Sequence, residues 1–161
     1  MAVIQASELK FYDTVTGPNR GGAITATETT PSTLFDAVTG DEAKTGEEEY
    51  RGVYFKNTAA TSGGLQNAKL WIETQTPAGD DISIALCDEG ASAAMEVIAD
   101  YMTPPTGPSF TAPTGKAGGL SLGTLAQNAY YGIWVKRNVP AECAAYNANS
   151  FVLKVEGDSG A

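Results

Sequence analysis

The segment EYRGVYFKN, residues 49–57, carries the clearest structural signal in the chain. Successive side chains of a β-strand point to opposite faces of the sheet. The segment therefore divides into one face with Arg51, Val53 and Phe55 and another with Tyr50, Gly52 and Tyr54. Both faces are largely apolar or aromatic, which is typical of a strand that lies well inside a sheet. We therefore predict a central strand here.

On either side of this segment, short runs with the same period of two alternate with turns rich in Gly and Pro. Strands are predicted at 7–13, 23–30, 67–76, 81–90, 120–122, 130–137 and 149–157. Residues 91–102 fit either a strand or a helix, and the β-branched Val97 and Ile98 favour the strand. Seven or eight strands, with a turn about every ten residues, are typical of an antiparallel β-sandwich, either Ig-like or jelly-roll.

The N-terminal part is less regular than the rest. We predict a sandwich domain over 48–161, preceded at 1–47 by an arm or edge hairpin and a loop. Leu34, Phe35 and Val38 have helical spacing and predict one short turn, capped by Ser32 or Thr33. The arm MAVIQASELKFYD could add a strand to the sheet edge of a neighbouring subunit. Alternatively, it is the first strand of its own sheet.

Composition restricts the possible partners. Ten Lys+Arg and 19 Asp+Glu give a net charge of −9, which would repel the phosphates of a nucleic acid. No apolar run reaches the roughly 20 residues that span a membrane. The start of the chain lacks the features of a signal peptide, so we expect folding in a cytoplasm. Cys87 and Cys143 are then expected as reduced thiols.

Acidic residues cluster just before the central strand: Asp41, Glu42, Glu47, Glu48 and Glu49. Their spacing does not match a calcium-binding loop. We therefore favour a solvated loop over an ion site. Acids beside an apolar strand also discourage unwanted pairing between sheet edges.

No catalytic pattern stands out. The chain has no histidine, the residue used most often for proton transfer near neutral pH. GDSG (157–160) resembles the surroundings of a protease serine, but no histidine base is present. Two carboxylates in a cleft could hydrolyse a glycoside, yet most acids lie beside glycines and turns. We predict no catalytic residue, cofactor or metal.

Aromatic and arginine side chains are the candidates for contact with a partner, because such residues are enriched at interface hot spots. The candidates are Phe11, Tyr12, Arg20, Arg51, Trp71, Tyr130, Tyr131, Trp134 and Arg137. Trp71 and Trp134 have two alternatives. They either lie in the core or form an aromatic platform for a subunit or a sugar.

Six phrases in order resemble small structural proteins of tailed-bacteriophage virions. They are GGAITATE (21–28), LFDAVTGDEAKTGEEEYRGVYFKN (34–57), KLWIETQTPAGDDISIAL (69–86), PSFTAPTGKAGGLSLGTL (108–125), GIWVKRNVPAECAAYNANSF (132–151) and LKVEGD (153–158). They cover most of the chain, although each is made of ordinary strands and turns. LSLGTL and the strands after it also look like Ig-like bacterial and phage surface domains.

The resemblance implies a virion component without catalytic residues. We expect a head decoration, or cement, protein that folds in the host cytoplasm and covers the outer surface of the head. Its expected partners are the major capsid protein and copies of itself, as a trimer, with no nucleic acid and no membrane. The alternatives are a tail or baseplate component and an Ig-like carbohydrate-binding or adhesion module.

Overall fold

The computed structural model describes residues 3–75, 79–144 and 150–159. Within them the chain forms one short helix, α1 (Gly40–Thr45), and 3₁₀ turns at Ala6–Glu8, Pro31–Thr33 and Lys116–Gly118. The strands of these residues are β1 (Leu9–Thr14), β2 (Gly21–Gly22), β3 (Ile24–Glu28), β4 (Glu47–Asn57), β5 (Leu65–Gln75), β6 (Asp81–Ala91), β7 (Met95–Val97), β8 (Leu120–Leu125), β9 (Tyr130–Val139) and β10 (Phe151–Ser159). The predicted strands over 67–76 and 149–157 and the turn between 76 and 81 lie partly outside the described residues.

Two sheets form the body of the molecule. One has five strands in the order β3-β1-β4-β9-β6, and the other has three in the order β10-β5-β8. All strand pairs are antiparallel. The predicted all-β antiparallel sandwich is therefore confirmed, and EYRGVYFKN forms most of β4, the central strand of the larger sheet.

The main core lies between the two sheets. Val53, Leu70, Ile84 and Ile133 are completely buried there. Each such side chain contributes roughly 1.5–3 kcal/mol when it is removed from water. Every second residue of a strand faces the opposing sheet, so Val53 and Phe55 of β4 lie in this core while Tyr54 between them faces the other way.

A third layer covers the outer face of the five-stranded sheet. A small ribbon made of β2 and β7 lies over Tyr54 and Trp134. These two residues form a second core with Met95, which belongs to β7, and with Ile98, which follows it. Gly21 of the ribbon approaches the ring of Trp134 so closely that a Cβ atom would lie 3.2 Å from it. This layer explains why β4 is apolar on both faces.

The N-terminal segment is part of the same sheet. β1 pairs with β4, with Phe11 opposite Phe55, and β3 forms the edge of the sheet next to β1. Of the two alternatives for the arm, the structure shows the one in which it is the first strand of its own sheet. The strands β1 and β3 are therefore members of the five-stranded sheet.

The prediction of a helical turn around Leu34, Phe35 and Val38 is wrong, because the helix α1 begins further along the chain, at Gly40. Thr39, and neither Ser32 nor Thr33, caps the helix: its Oγ1 accepts a hydrogen bond from the Glu42 amide at 3.2 Å. The Glu42 carboxylate accepts one from the Thr39 amide at 2.6 Å. This reciprocal capping box starts α1 at Gly40, since both amides at its start gain a partner. Leu34 and Phe35 instead pack on the core from a loop.

The proline-rich segment 103–119 closes one side of the sandwich. Thr111 exchanges two backbone hydrogen bonds with Ile84 of the edge strand β6, at 2.7 and 2.9 Å. The carbonyl of Pro113 accepts a further bond from the Ile72 amide of β5 at 2.8 Å. An extended segment thus connects the two sheets and covers a strand edge that would otherwise be free to pair.

Candidate functional site

Glu49, one of the clustered acids, is buried between two arginines. Its Oε1 atom lies 3.1 Å from Nη2 of Arg51, and its Oε2 atom accepts a hydrogen bond from Nη2 of Arg137. All three residues are at most 7% exposed. A buried charge is tolerated only when partners surround it. Glu49 is therefore an internal ion-pair residue, and the solvated-loop prediction is wrong for it.

The ring of Phe35 lies against both guanidinium groups. The Cζ atoms of Arg51 and Arg137 are 5.1 and 5.0 Å from the ring centroid. Arg137 also donates to the backbone carbonyl of Asp36 at 2.5 Å. The segment between the 3₁₀ turn at Pro31–Thr33 and α1 is thereby held against β4 and β9. These contacts all lie within the chain, so we assign the arrangement a role in stabilising the fold.

The remaining clustered acids are more exposed. Asp41 and Glu42 lie in the first turn of α1, where negative charge is favourable. Glu48 is paired with Lys136 at 2.9 Å, and this hydrogen bond lowers the pKa of Glu48. Partial burial and the nearby charge of Glu49 raise the pKa of Glu47. Nowhere in the described residues do three or more potential metal ligands come together.

Some predicted partner-contact residues are internal. Arg51, Trp71, Trp134 and Arg137 are buried. For the two tryptophans this is the core alternative, and they form no exposed aromatic platform. For the two arginines, the ion pairs with Glu49 replace the predicted contact with a partner.

The other predicted contact residues reach the surface in part: Phe11, Tyr12, Arg20, Tyr130 and Tyr131. Arg20 is engaged within the chain, because its Nη1 donates to the carbonyls of Ile98 and Ala99 at 3.2 and 2.7 Å. Lys56 lies 5.6 Å from the ring of Tyr12. Phe11 borders an apolar groove, which is the candidate site described below.

This groove lies between β1 and β10, on the side of the sandwich opposite the proline-rich segment. Its volume is about 380 Å³. The lining is mainly apolar and includes Leu9, Phe11, Pro31, Phe151 and Leu153. The ion pair between Lys10 and Glu28, at 2.8 Å, forms part of its wall. We call this feature the open seam.

The open seam arises from the unequal width of the sheets. β5 and β8 contact β6 across the core, and the three-stranded sheet ends at β10. The five-stranded sheet extends further, through β1 to β3. Leu9 and Phe11 of β1 face the core yet remain half-buried, because no strand lies over them.

Searches of protein-family models, curated proteins and solved structures found no match for this chain. The resemblance to virion proteins therefore stays a prediction. No helix among the described residues has the length and apolar character needed to cross a membrane. In the same residues, Cys87 and Cys143 are both free cysteines.

Of the residues that line the open seam, only Phe11 was predicted from the sequence to contact a partner. The alternation in residues 7–13 and 149–157 does indicate which side chains face inward. It gives no information about the width of the opposing sheet. From the sequence alone, Leu9, Phe151 and Leu153 are therefore expected to be ordinary core residues. Only the arrangement of the two sheets shows that they line a groove.

Proposed function

We propose that the chain is a non-enzymatic structural protein of a bacteriophage virion that binds the assembled head and stabilises it. In this proposal it acts at the outer surface of the head, as a trimer, and its partner is the major capsid protein. It works by covering surface and neither forms nor breaks covalent bonds. The sequence resemblance and the open seam support this function, and the open seam carries most of the argument.

The open seam is a groove with apolar walls, into which part of another protein could bind. Its wall contains half-buried Leu9 and Phe11, and β10 lies at the end of its sheet with Val152 44% exposed. Partly covered apolar groups next to a strand edge are a common feature of protein interaction sites. A partner bound there would remove this surface from water and thereby gain binding free energy.

The acidic charge favours a partner with basic surface. The net charge is −9, and two of the arginines, Arg51 and Arg137, are buried in ion pairs. Lys10, Lys116, Lys136 and Lys154 are each paired with a glutamate. The buried charged residues, Arg51 and Arg137 with Glu49 and Asp80, balance one another, so the negative net charge lies at the surface. Opposite charge on the partner would accelerate association, whereas the acidic charge of this chain would repel nucleic acid.

Binding to isolated heads tests the proposal. Empty heads of the phage that encodes the chain, stripped of it, are incubated with purified protein and then sedimented. We expect the protein to sediment with the heads and to raise their unfolding temperature in calorimetry, because a ligand stabilises the state to which it binds. Failure to sediment with the heads at micromolar concentration would overturn the proposal.

Two surface variants locate the contact. Thr30 is exposed and lines the open seam, so Thr30→Trp would fill the groove with a ring. Thr27 is exposed on β3 outside the groove, and Thr27→Trp is the matched control. We expect Thr30→Trp to weaken binding by about tenfold or more, equivalent to about 1.4 kcal/mol, and Thr27→Trp to leave it unchanged. Native mass spectrometry of the purified protein tests the trimer.

A further inference from the structure

We infer that β10 and the open seam accept an extended, basic segment of a partner protein, which adds to β10 as a fourth strand. This inference rests on the proposed function and specifies the contact, since it names the chemistry of the segment that the covering protein would bind. Three observations support it: the unequal sheets, the apolar groove and the charge of the elements that border it.

The unequal sheets provide the space for a strand. Neighbouring strands lie about 4.8 Å apart, and stacked sheets lie about 10 Å apart. A strand added beside β10 would therefore lie over β1, where the five-stranded sheet extends beyond the three-stranded one. It would fit between two contacts that β10 already makes, one with the turn Pro31–Thr33 and one between the Ile4 amide and Oγ of Ser159, at 3.0 Å. The opposite side of the sandwich shows the same principle, because Thr111 and Pro113 already cover it with extended backbone.

The groove provides contacts for side chains. Every second residue of an added strand would point inward, towards Leu9 and Phe11 on one side and Leu153 on the other. Apolar residues at alternate positions fit this surface. The remaining residues would face solvent, where they are free to carry charge.

The charge determines which kind of segment fits. The 3₁₀ turn at Ala6–Glu8 and the strands β1, β3 and β10 together carry five carboxylates and two lysines, for a net charge of −3: Glu8, Asp13, Glu28, Glu156 and Asp158 against Lys10 and Lys154. Lys10 is paired with Glu28, Lys154 with Glu73, and Glu156 with Lys116. The charge that a partner would complement therefore lies on Glu8, Asp13 and Asp158. Lys and Arg at the outward positions of the segment would complement these groups. A second copy of this chain would bring a further charge of −9, which opposes self-association at this edge.

Selection from a peptide library tests the inference on the full chain. Random peptides of about ten residues, the upper length of an ordinary strand, are displayed on messenger RNA and selected against the immobilised protein. We expect the enriched peptides to be apolar at alternate positions and rich in Lys and Arg between them. In hydrogen exchange, the best peptide should protect amides of β10 and leave those of β8 unchanged.

Backbone methylation shows whether the peptide binds as a strand. Two versions of the best peptide carry N-methyl groups on alternate residues, one in each register. The version methylated on the edge that faces β10 should lose binding about tenfold or more, since its N–H donors are blocked, and the other should keep it. A peptide with Glu in place of each Lys and Arg should also lose binding.

Several outcomes would overturn the inference: no enriched peptide, protection at another edge, or equal binding by both methylated peptides. The proposed function fails separately. If heads bind the protein but selected peptides do not contact β10, the inference falls and the function stands. If peptides add to β10 but heads do not bind, the inference stands and the proposed function falls.

Discussion

Arg137 donates a hydrogen bond to Glu49 directly across the ladder between β4 and β9. The two residues come from parts of the chain 88 positions apart and form a buried cross-strand ion pair. Arg51 completes the arrangement from the same strand as Glu49, at 3.1 Å. A single carboxylate thus neutralises part of the charge of two guanidinium groups.

Replacement of Glu49 by Gln should destabilise the fold strongly. The change leaves Arg51 and Arg137 buried without a counter-charge, and removal of one member of a buried pair costs about 3–5 kcal/mol. Glu48→Gln is the matched control, because Glu48 is half-exposed and a surface pair contributes less than about 1 kcal/mol. Urea denaturation followed by circular dichroism measures both values. Equal losses for the two variants would contradict the buried role of Glu49.

Phe35→Ala should also destabilise the fold, because it removes the ring that contacts both arginines and lies 6.3 Å from the ring of Phe151. We expect a loss of about 2–4 kcal/mol in chemical denaturation, as for other large-to-small changes. Phe35→Leu keeps most of the apolar volume but loses the attraction of the ring for cations. It should cost about 1 kcal/mol. A Leu variant as unstable as the Ala variant would show that the ring itself provides most of the stability.

The hydroxyl of Tyr54 connects the central strand to the outer ribbon. It donates to the carbonyl of Gly22 and accepts a hydrogen bond from the Met95 amide at 2.7 Å. Tyr54→Phe leaves both backbone groups without this partner and should cost about 1–3 kcal/mol. Hydrogen exchange should show faster exchange of the Met95 amide. An unchanged exchange rate would contradict this role of the hydroxyl.

Tyr54 should also affect stability at alkaline pH. Burial raises the pKa of Tyr54 to about 12, above its ordinary value of about 10. Its contribution is then complete below pH 10 and is lost as the pH rises towards 12, because the unfolded chain ionises first. We expect this residue to account for a loss of about 2 kcal/mol by pH 12. Denaturation curves of wild type and Tyr54→Phe across this range should converge as the pH rises, and a constant difference would refute the assignment.

Gly21→Ala should displace the outer ribbon. Gly21 has a φ of +100°, and an added Cβ atom would lie 1.8 Å from the carbonyl oxygen of Glu96. We expect a cost of about 2 kcal/mol or more and increased exposure of Trp134, seen as a red shift of its fluorescence. Gly118→Ala is the control, since a Cβ atom there has no neighbour within 4 Å. A stable Gly21→Ala variant without a fluorescence shift would contradict the close packing of the ribbon on Trp134.

Much of the fold follows from local pattern. The alternation in 49–57 correctly predicted a central strand, and the spacing of the other runs predicted an antiparallel sandwich. Helix placement failed because Thr39 and Glu42 form a capping box, a local signal stronger than the spacing of Leu34 and Phe35. Those apolar residues pack in a loop, and their spacing alone does not distinguish a loop from a helix.

Much less of the candidate site could be predicted from the sequence. Phe11 was among the predicted contact residues, but Trp71 and Trp134 have the same aromatic character and are buried. Arg51 and Arg137 are buried as well, because Glu49 lies close to both in the folded chain. Residue type indicates what a side chain is able to bind. Its exposure depends on what packs against it.

The sequence by itself determined that this chain forms antiparallel strands and which side chains of each strand face together, because both follow from a period of two along the backbone. Only the tertiary structure decided how many strands each sheet holds. That number depends on pairing between distant segments, such as β1 with β4 and β10 with β5. The local sequence pattern does not determine which distant segments pair. The open seam exists because one sheet received five strands and the other three.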